Sequence, residues 1–405
     1  MAGKRTIIDS QIVYGKDDII YSETKSSKIK TKPKKRNPKK ENPKSGEGKN
    51  GRKKNRKKRA LIAVAVIIVL LVASYLTFTF SDIAPIKYLR ELYIGTAMTT
   101  DEHQWLATWF FPKSVIDKVM SQQAETFVGI NEADVNIPGK DNNENRPDDI
   151  LGQKNLTVGG KDYTGREVLV NDIEQGIVVS RLSGPSYEGK IMLVDDPSRV
   201  FLGVTPYWGS RGLFMTDMLS HYDAIGGINA SGFSDPGGHG DGEKANSGCR
   251  YNGENYGSYR GDQLTFGFNE DDKMVLGMID VSQWDSYSIR DCCQFFGPAL
   301  VVNGEQQIYQ SSYYGLHPRS VIGQRADGVV LLMIIDGRQP GYSLGATLDE
   351  CAEIMVEYNA VSAAACDGGS SAVLGYDGRI ITTPSTSALR STGRYLPNAW
   401  LVKRK

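Results

Sequence analysis

The chain has 405 residues, with 48 Lys and Arg against 47 Asp and Glu, and the resulting net charge of +1 describes an ordinary near-neutral protein of a few domains. That average hides two unlike blocks: residues 1–59 hold 21 basic and 6 acidic groups, a net of +15, and residues 60–405 hold 27 and 41, a net of −14. Between them Ala60 to Phe80 reads ALIAVAVIIVLLVASYLTFTF, 21 residues without a charge, enough for a helix to cross a hydrocarbon core of about 30 Å, which excludes a wholly soluble protein.

The basic block, residues 1–59, is poor in large apolar side chains and is expected to be a disordered tail. Its last nine positions, GRKKNRKKR at 51–59, abut the apolar run, and Lys and Arg flanking a span stay on the cytoplasmic side. A single-pass protein of the cell membrane is therefore expected, with its amino terminus cytoplasmic and its carboxy-terminal portion extracytoplasmic. A cleaved signal peptide would have a shorter leader and an apolar core of about 7–15 residues. The tail also suits anionic inner-leaflet lipids, at about 1 kcal/mol per Lys or Arg near the surface. It lacks the aromatic interleaving and folded reader of a nucleic-acid binder.

Residues 81–156 read as a helical stalk, or an edge of the main domain, followed by a polar linker. The helical stretches are Pro85 to Tyr93, His103 to Phe111 and Ser114 to Met120, the last opened by Ser-x-x-Asp after Pro112; 131–156 is dense in Asn, Asp, Glu and Pro. The main domain, 157–403, opens β-rich, with strands over 176–182, 190–194 and 200–204. A helix over 212–222 leads into a small strand at 224–229. Residues 234–262 read as an irregular excursion, and further strands fall at 264–268, 274–279 and 299–302. Five cysteines are too few for a disulfide framework. Cys249 with Cys292 or Cys293 is the expected surface bridge, and Cys351 and Cys366 read as small buried hydrophobes. No Cys/His spacing suits a structural zinc, and Asp235, His239 and Asp241 read as a solvated Gly-rich loop rather than a metal site. No metal or cofactor is expected.

The densest information lies in 317–371. Val329 to Ile335 is an unbroken apolar run suited to a strand covered on both faces, ending in Asp336-Gly-Arg338. Thr347-Leu-Asp-Glu350 opens a helix with Leu348, Cys351, Ala352, Met355 and Tyr358 on one side, and Ala360 to Cys366 forms a small-residue strand ending in Asp367-Gly-Gly-Ser-Ser371. Strand, helix and strand make a βαβ unit with parallel strands whose carboxyl ends share one edge, so Asp336 and Asp367 are expected as near neighbours there, where α/β sheets bind ligands. The expected fold is mixed α+β: a β-rich domain in which a βαβ unit carries the site, preceded by one transmembrane helix and the helical stalk.

Two carboxylates suit glycosyl transfer to water, although each also serves as a cap before Gly. Gly368, Gly369, Ser370 and Ser371 offer open backbone N–H groups and hydroxyls to a phosphate or sugar oxygen, and Arg338 and Arg319 can hold a phosphate in a bidentate fork. Gly-Gly-Ser370-Ser-Ala approximates a serine-hydrolase elbow, but that arrangement needs a later histidine, and the last in this chain is His317. Glu350 is a candidate acid that the capping box equally explains.

The ordered motifs Gly-Ile-Asn229-Ala-Ser-Gly-Phe, Phe-Gly-Pro298, Pro318-Arg319-Ser-Val-Ile-Gly-Gln, Asp336-Gly-Arg338, Thr347-Leu-Asp-Glu350, Asp367-Gly-Gly-Ser-Ser and Pro384-Ser385 resemble the phosphodiester glycosidase family over about residues 157–403. Similar organisation occurs in membrane-anchored bacterial members associated with exopolysaccharide. The resemblance implies hydrolysis of the bond between an anomeric carbon and a phosphodiester oxygen in a sugar-phosphate diester or surface glycan. It gives Asp336 and Asp367 the acid, base or nucleophile work and Arg338 and Arg319 the phosphate. Asn229, Ser370, Ser371, Gly368, Gly369 and Glu350 would contact substrate. The departures are Ala230-Ser231 after Asn229, Cys366 before Asp367, and the excursion 234–262, which bear on substrate more than reaction. The alternative from another class is a non-catalytic module that binds anionic glycan and scaffolds exopolysaccharide assembly.

Overall fold

The computed structural model describes residues 48–100, 103–126, 147–234, 240–307, 312–385 and 392–405. The expected disorder of the tail up to residue 47, much of the 131–156 linker, and Asp235 and His239 lie outside these residues. The chain divides into two compact units, Met1–Ile67 and Ile68–Lys405. Helix α1 (Gly48–Phe80) runs through the division, and its stretch Lys57–Phe80 is long and apolar enough to cross a membrane.

Within the second unit, α1 ends against three further helices, α2 (Ala84–Met98), α3 (Trp105–Thr108) and α4 (Lys113–Thr126), which share a small core of Phe78, Ile94, Ala97, Phe111, Ile116 and Val119. A helix leaves its last carbonyls without partners. Here the buried Arg90 of α2 supplies them: its Nη1 donates to the carbonyls of Ser81 (2.8 Å), Thr79 (3.2 Å) and Phe78 (3.4 Å). The helical segment is an edge of the main domain rather than a free stalk, because α2 is docked on the loop that precedes Pro318. Ser312 Oγ donates to Glu91 Oε2 (3.0 Å), Leu316 N–H donates to Thr96 Oγ1 (2.9 Å), and Thr99 Oγ1 meets His317 Nε2. Helix α4 starts at Lys113, so Ser114 lies inside it, and the Pro112 carbonyl accepts from Val115 and Ile116.

The largest sheet has eight strands in the order β1 (Val168–Asp172), β2 (Ile177–Ser183), β3 (Glu188–Val194), β14 (Val330–Ile335), β13 (Arg319–Arg325), β15 (Ala360–Ala365), β11 (Ala299–Val302) and β12 (Glu305–Gln306). Every neighbouring pair is antiparallel. Strand β14 shows why the apolar run is unbroken: Val330, Leu332 and Ile334 enter the central core, and Leu331, Met333 and Ile335 enter a second core on the other face. That second core is closed by helix α6 (Leu348–Glu357), which Thr347 and Glu350 open as a reciprocal capping box.

Two five-stranded sheets complete the central core. One has the order β7 (Glu254–Tyr256), β6 (Cys249–Tyr251), β10 (Ile289–Phe295), β8 (Leu264–Asn269), β9 (Met274–Gly277). The other has the order β17 (Arg379–Ile380), β16 (Leu374–Tyr376), β5 (Ala224–Asn229), β18 (Asn398–Lys403), β4 (Val200–Val204), with helix α5 (Met215–His221) on its outer face. Phe266, Phe268, Leu202, Ile228 and Trp400 from these sheets meet Met192, Ile322 and Leu332 of the first.

The expected cysteine bridge is not present. Cys249 lies on β6 and Cys292 and Cys293 on β10, all three buried in strands rather than exposed in loops, and all are free thiols. Cys293 sits directly opposite Cys249 in the ladder, and β10 is the central strand of its sheet, so the polar-looking sequence around it is paired strand and not a surface loop. Cys351 and Cys366 are buried, as their apolar setting implies.

Candidate functional site

Strands β14 and β15 run parallel, as the βαβ reading requires, but they are not adjacent. Antiparallel β13 lies between them, pairing Arg319 with Ile335 on one side and Val321 with Ala365 on the other. Asp336 and Asp367 therefore leave the sheet on the same edge two strand spacings apart, about 10 Å, with Pro318 and Arg319 entering between them. The near-neighbour expectation fails because Arg319 to Arg325, taken only as a motif, is itself a strand.

The turn after β15 is held from three directions. Asp367 N–H donates to the Ala230 carbonyl (2.9 Å), and Gly369 N–H donates to the Pro318 carbonyl (3.0 Å). Asn229, buried at the end of β5, donates from Nδ2 to the Asp367 carbonyl (2.6 Å) and accepts the Val373 N–H on Oδ1 (3.2 Å). Its amide is thus committed to the backbone on both sides of the turn. Asn229 thereby positions the turn that carries Asp367.

Close approach explains both glycines. A Cβ on Gly368 would stand 2.6 Å from the Pro318 carbonyl oxygen, and Gly369 adopts φ +60, which side chains other than Gly rarely accept. A Cβ on Gly369 would stand 3.2 Å from Arg338 Nη2, so the Arg338 guanidinium lies against this turn. Arg338 itself has φ +58, a conformation that costs a non-glycine residue of order 1 kcal/mol and is held by its N–H bond to Leu344 O (3.2 Å). A second guanidinium reaches the next residue: Arg394 Nη1 donates to Ser370 Oγ (3.0 Å) while its Cζ lies 4.4 Å from the Phe233 ring centre. Asp367, Gly368, Gly369 and Ser370 are half-exposed, whereas Ser371 is buried.

The other sequence-derived candidates are brought to this edge but are engaged there. Asp336 is 2% exposed; its Oδ2 accepts from Tyr342 O–H (2.9 Å), and its Oδ1 accepts the Thr383 N–H (2.9 Å). Burial pushes its carboxyl up to about 6, against the pull of those two donors and of Lys190. Arg319 donates from Nε to the Ala346 carbonyl (2.9 Å) and from Nη2 to the carbonyls of Gly315 (2.9 Å) and Tyr314 (3.3 Å). Burial lowers it to about 10, and the charge of Arg338 acts in the same direction. Glu350 Oε2 accepts from both Thr347 N–H (2.8 Å) and Thr347 Oγ1 (3.0 Å), so the capping reading accounts for it.

Arg394 was not read from the sequence as a site residue. The available signal was positional: it lies four residues before β18, whose first residue Asn398 accepts the Ser231 N–H (2.9 Å) on the same edge.

Residues 222–403 match the family model described as phosphodiester glycosidase. No curated protein matches the chain. Among solved structures, the chain is similar to the catalytic domain of zebrafish N-acetylglucosamine-1-phosphodiester alpha-N-acetylglucosaminidase, auto-inhibited by its pro-peptide, at 16% identity, covering 56% of this chain and 82% of that one, with a TM-score of 0.46. It is also similar to a hypothetical protein from Synechocystis, at 14% identity, covering 58% of this chain and 64% of that one, with a TM-score of 0.40. The family match begins at residue 222, after strands β1 to β4, two of which pair directly with strands inside the matched segment: β3 with β14, and β4 with β18. The similarity to the phosphodiester glycosidase family therefore lies in residues 222–403.

Proposed function

We propose that this chain is a membrane-anchored hydrolase that cleaves sugar-1-phosphodiester linkages in surface glycans or exopolysaccharide on the extracytoplasmic side. The observation that carries the reading is the half-exposed Asp367 turn with two guanidinium groups on it, Arg338 against Gly369 and Arg394 on Ser370. A phosphodiester carries one negative charge, and breaking its bond to the anomeric carbon leaves a phosphate monoester with the bonding electron pair. Two arginines placed at that charge stabilise it as it develops, so the leaving group needs little protonation. Asp367 acts on the other partner: its carboxylate supports positive charge at the anomeric carbon, or attacks it, and a water oxygen ends bonded to that carbon. The water's protons pass one to the new sugar hydroxyl and one to the monoester or the carboxylate.

Asp336 serves by holding Tyr342 and Thr383 around the Arg338 loop, and Arg319 by holding the 314–315 and 346 backbone. The anchor is α1, with the basic residues before it in the cytoplasm, near anionic lipid. The test uses the full chain in detergent with a panel of sugar-1-phosphodiesters, measuring free reducing sugar and phosphomonoester. Turnover that Asp367→Asn lowers by at least about a hundredfold is expected for a group acting in the transition state. Binding across the panel without turnover overturns the enzymatic reading in favour of a glycan-binding module, and equal turnover by the variant overturns the role given to Asp367.

A further inference from the structure

We infer that the α3–α4 turn, Trp105 to Phe111, docks into the outer interface of the bilayer beside the end of α1, fixing the domain against the membrane. The inference rests on the reading of α1 as the membrane anchor. Tyr75 lies five residues before Phe80, the last residue of the span, which is about 8 Å along the helix axis. Its hydroxyl donates to the Phe110 carbonyl (2.7 Å), and Phe78, nearer the end of the span, packs on Phe111 with ring centres 5.8 Å apart. A segment bonded to Tyr75 is carried to the depth of Tyr75, so if α1 spans, this turn lies at the level of the last turns of the span.

The turn has the composition that depth demands. Trp109 is 78% exposed, Phe110 54% and Trp105 44%, so three large rings face out of the fold, and Phe80 at the end of the span is exposed as well. Aromatic rings of this kind favour the boundary between hydrocarbon and headgroups. Backbone polar groups there need internal partners. The N–H groups of Trp109, Phe110 and Phe111 donate to Trp105, Ala107 and Ala107 respectively, Pro112 has no N–H, and Tyr75 covers the Phe110 carbonyl. Lys113 and Asp117 then mark the return to water, paired at 2.8 Å and exposed.

The docking also sets the height of the site. Helix α2, which packs with α3 and α4, is bonded through Thr96, Thr99 and Glu91 to residues 312–317, immediately before Pro318 and Arg319. The site therefore stands at a fixed distance from the lipid surface instead of sampling the length of a tether.

The experiment uses the full chain in phosphatidylcholine vesicles brominated high on the acyl chain. Bromine quenches tryptophan fluorescence on contact, and the chain has five tryptophans, Trp105, Trp109, Trp208, Trp284 and Trp400. Quenching is expected in the wild type and in Trp208→Phe, and most of it is lost in the Trp105→Phe, Trp109→Phe double variant, where the rings stay aromatic and the fold is preserved. Carbonate extraction of the same vesicles separates the two readings. A chain that resists extraction but shows no quenching, or quenching that the double variant keeps, overturns the docking alone; a chain released by carbonate overturns the anchor and the docking with it.

Discussion

Asn229 and Asp336 are both buried beside the Asp367 turn, and each gives a prediction. Replacing Asn229 by Ala removes the partner of the Asp367 carbonyl and of the Val373 N–H, and each buried group left unpaired costs about 1–3 kcal/mol. The expected result is a lower denaturant midpoint together with a fall in kcat, because the turn that presents Asp367 is released; unchanged kcat would show that the turn holds itself. Asp336 gives a prediction in pH. Its folded value is raised to about 6 from 3.8, so the native state binds the extra proton between those values. The stability this contributes is fully present below 3.8 and is lost as pH rises through about 6. The loss is of order 3 kcal/mol for a two-unit shift of a buried group. His317 works in the opposite direction: burial, then the charges of Arg319 and Arg338, hold it well below the usual histidine range, so it disfavours the native state as pH falls. Comparing wild type with Asp336→Asn isolates the carboxyl. The variant should gain on the wild type across pH 4 to 6 and keep a constant lead above about 7, by chemical denaturation in detergent; a difference flat in pH would contradict the assignment.

Helix α2 is the element that most changes the picture drawn from sequence. The periodicity of 82–130 reveals helices but not what they pack against, and the contacts that decide it are hydrogen bonds to a loop more than 200 residues away. Thr99 is the sharpest of these. Its hydroxyl proton goes to the Gly95 carbonyl (2.7 Å), which leaves the oxygen to accept from His317 and places the neutral ring's proton on Nε2. Thr99→Val keeps the shape and removes the acceptor, so a loss of about 1–3 kcal/mol in unfolding free energy is expected, with catalysis falling only as far as the 312–319 loop shifts. No change in stability would mean that α2 is held by its apolar contacts alone. The βαβ unit was legible because its signals are local: a two-faced apolar run, a capping box and a small-residue strand. What escaped was β13, inserted between the two parallel strands by pairing that no local pattern encodes, and β6 and β10, whose Cys, Arg, Asp and Gln residues suggest a loop although all but a few are buried. Arg394 escaped for the same reason, since its place at the site depends on where β18 enters its sheet.

At the scale of the molecule, the proposed chemistry belongs to residues 60–405, whose net charge is −14 against +15 for residues 1–59. Its central claim is that the bond broken lies between the anomeric carbon and oxygen, not between phosphorus and oxygen. Hydrolysis of a sugar-1-phosphodiester by the full chain in water enriched in heavy oxygen reports this directly, because the label marks the atom that water attacked. Two arginines on the phosphate with Asp367 facing the sugar predict label in the anomeric hydroxyl of the released sugar and none in the phosphomonoester; label in the phosphomonoester would contradict the account.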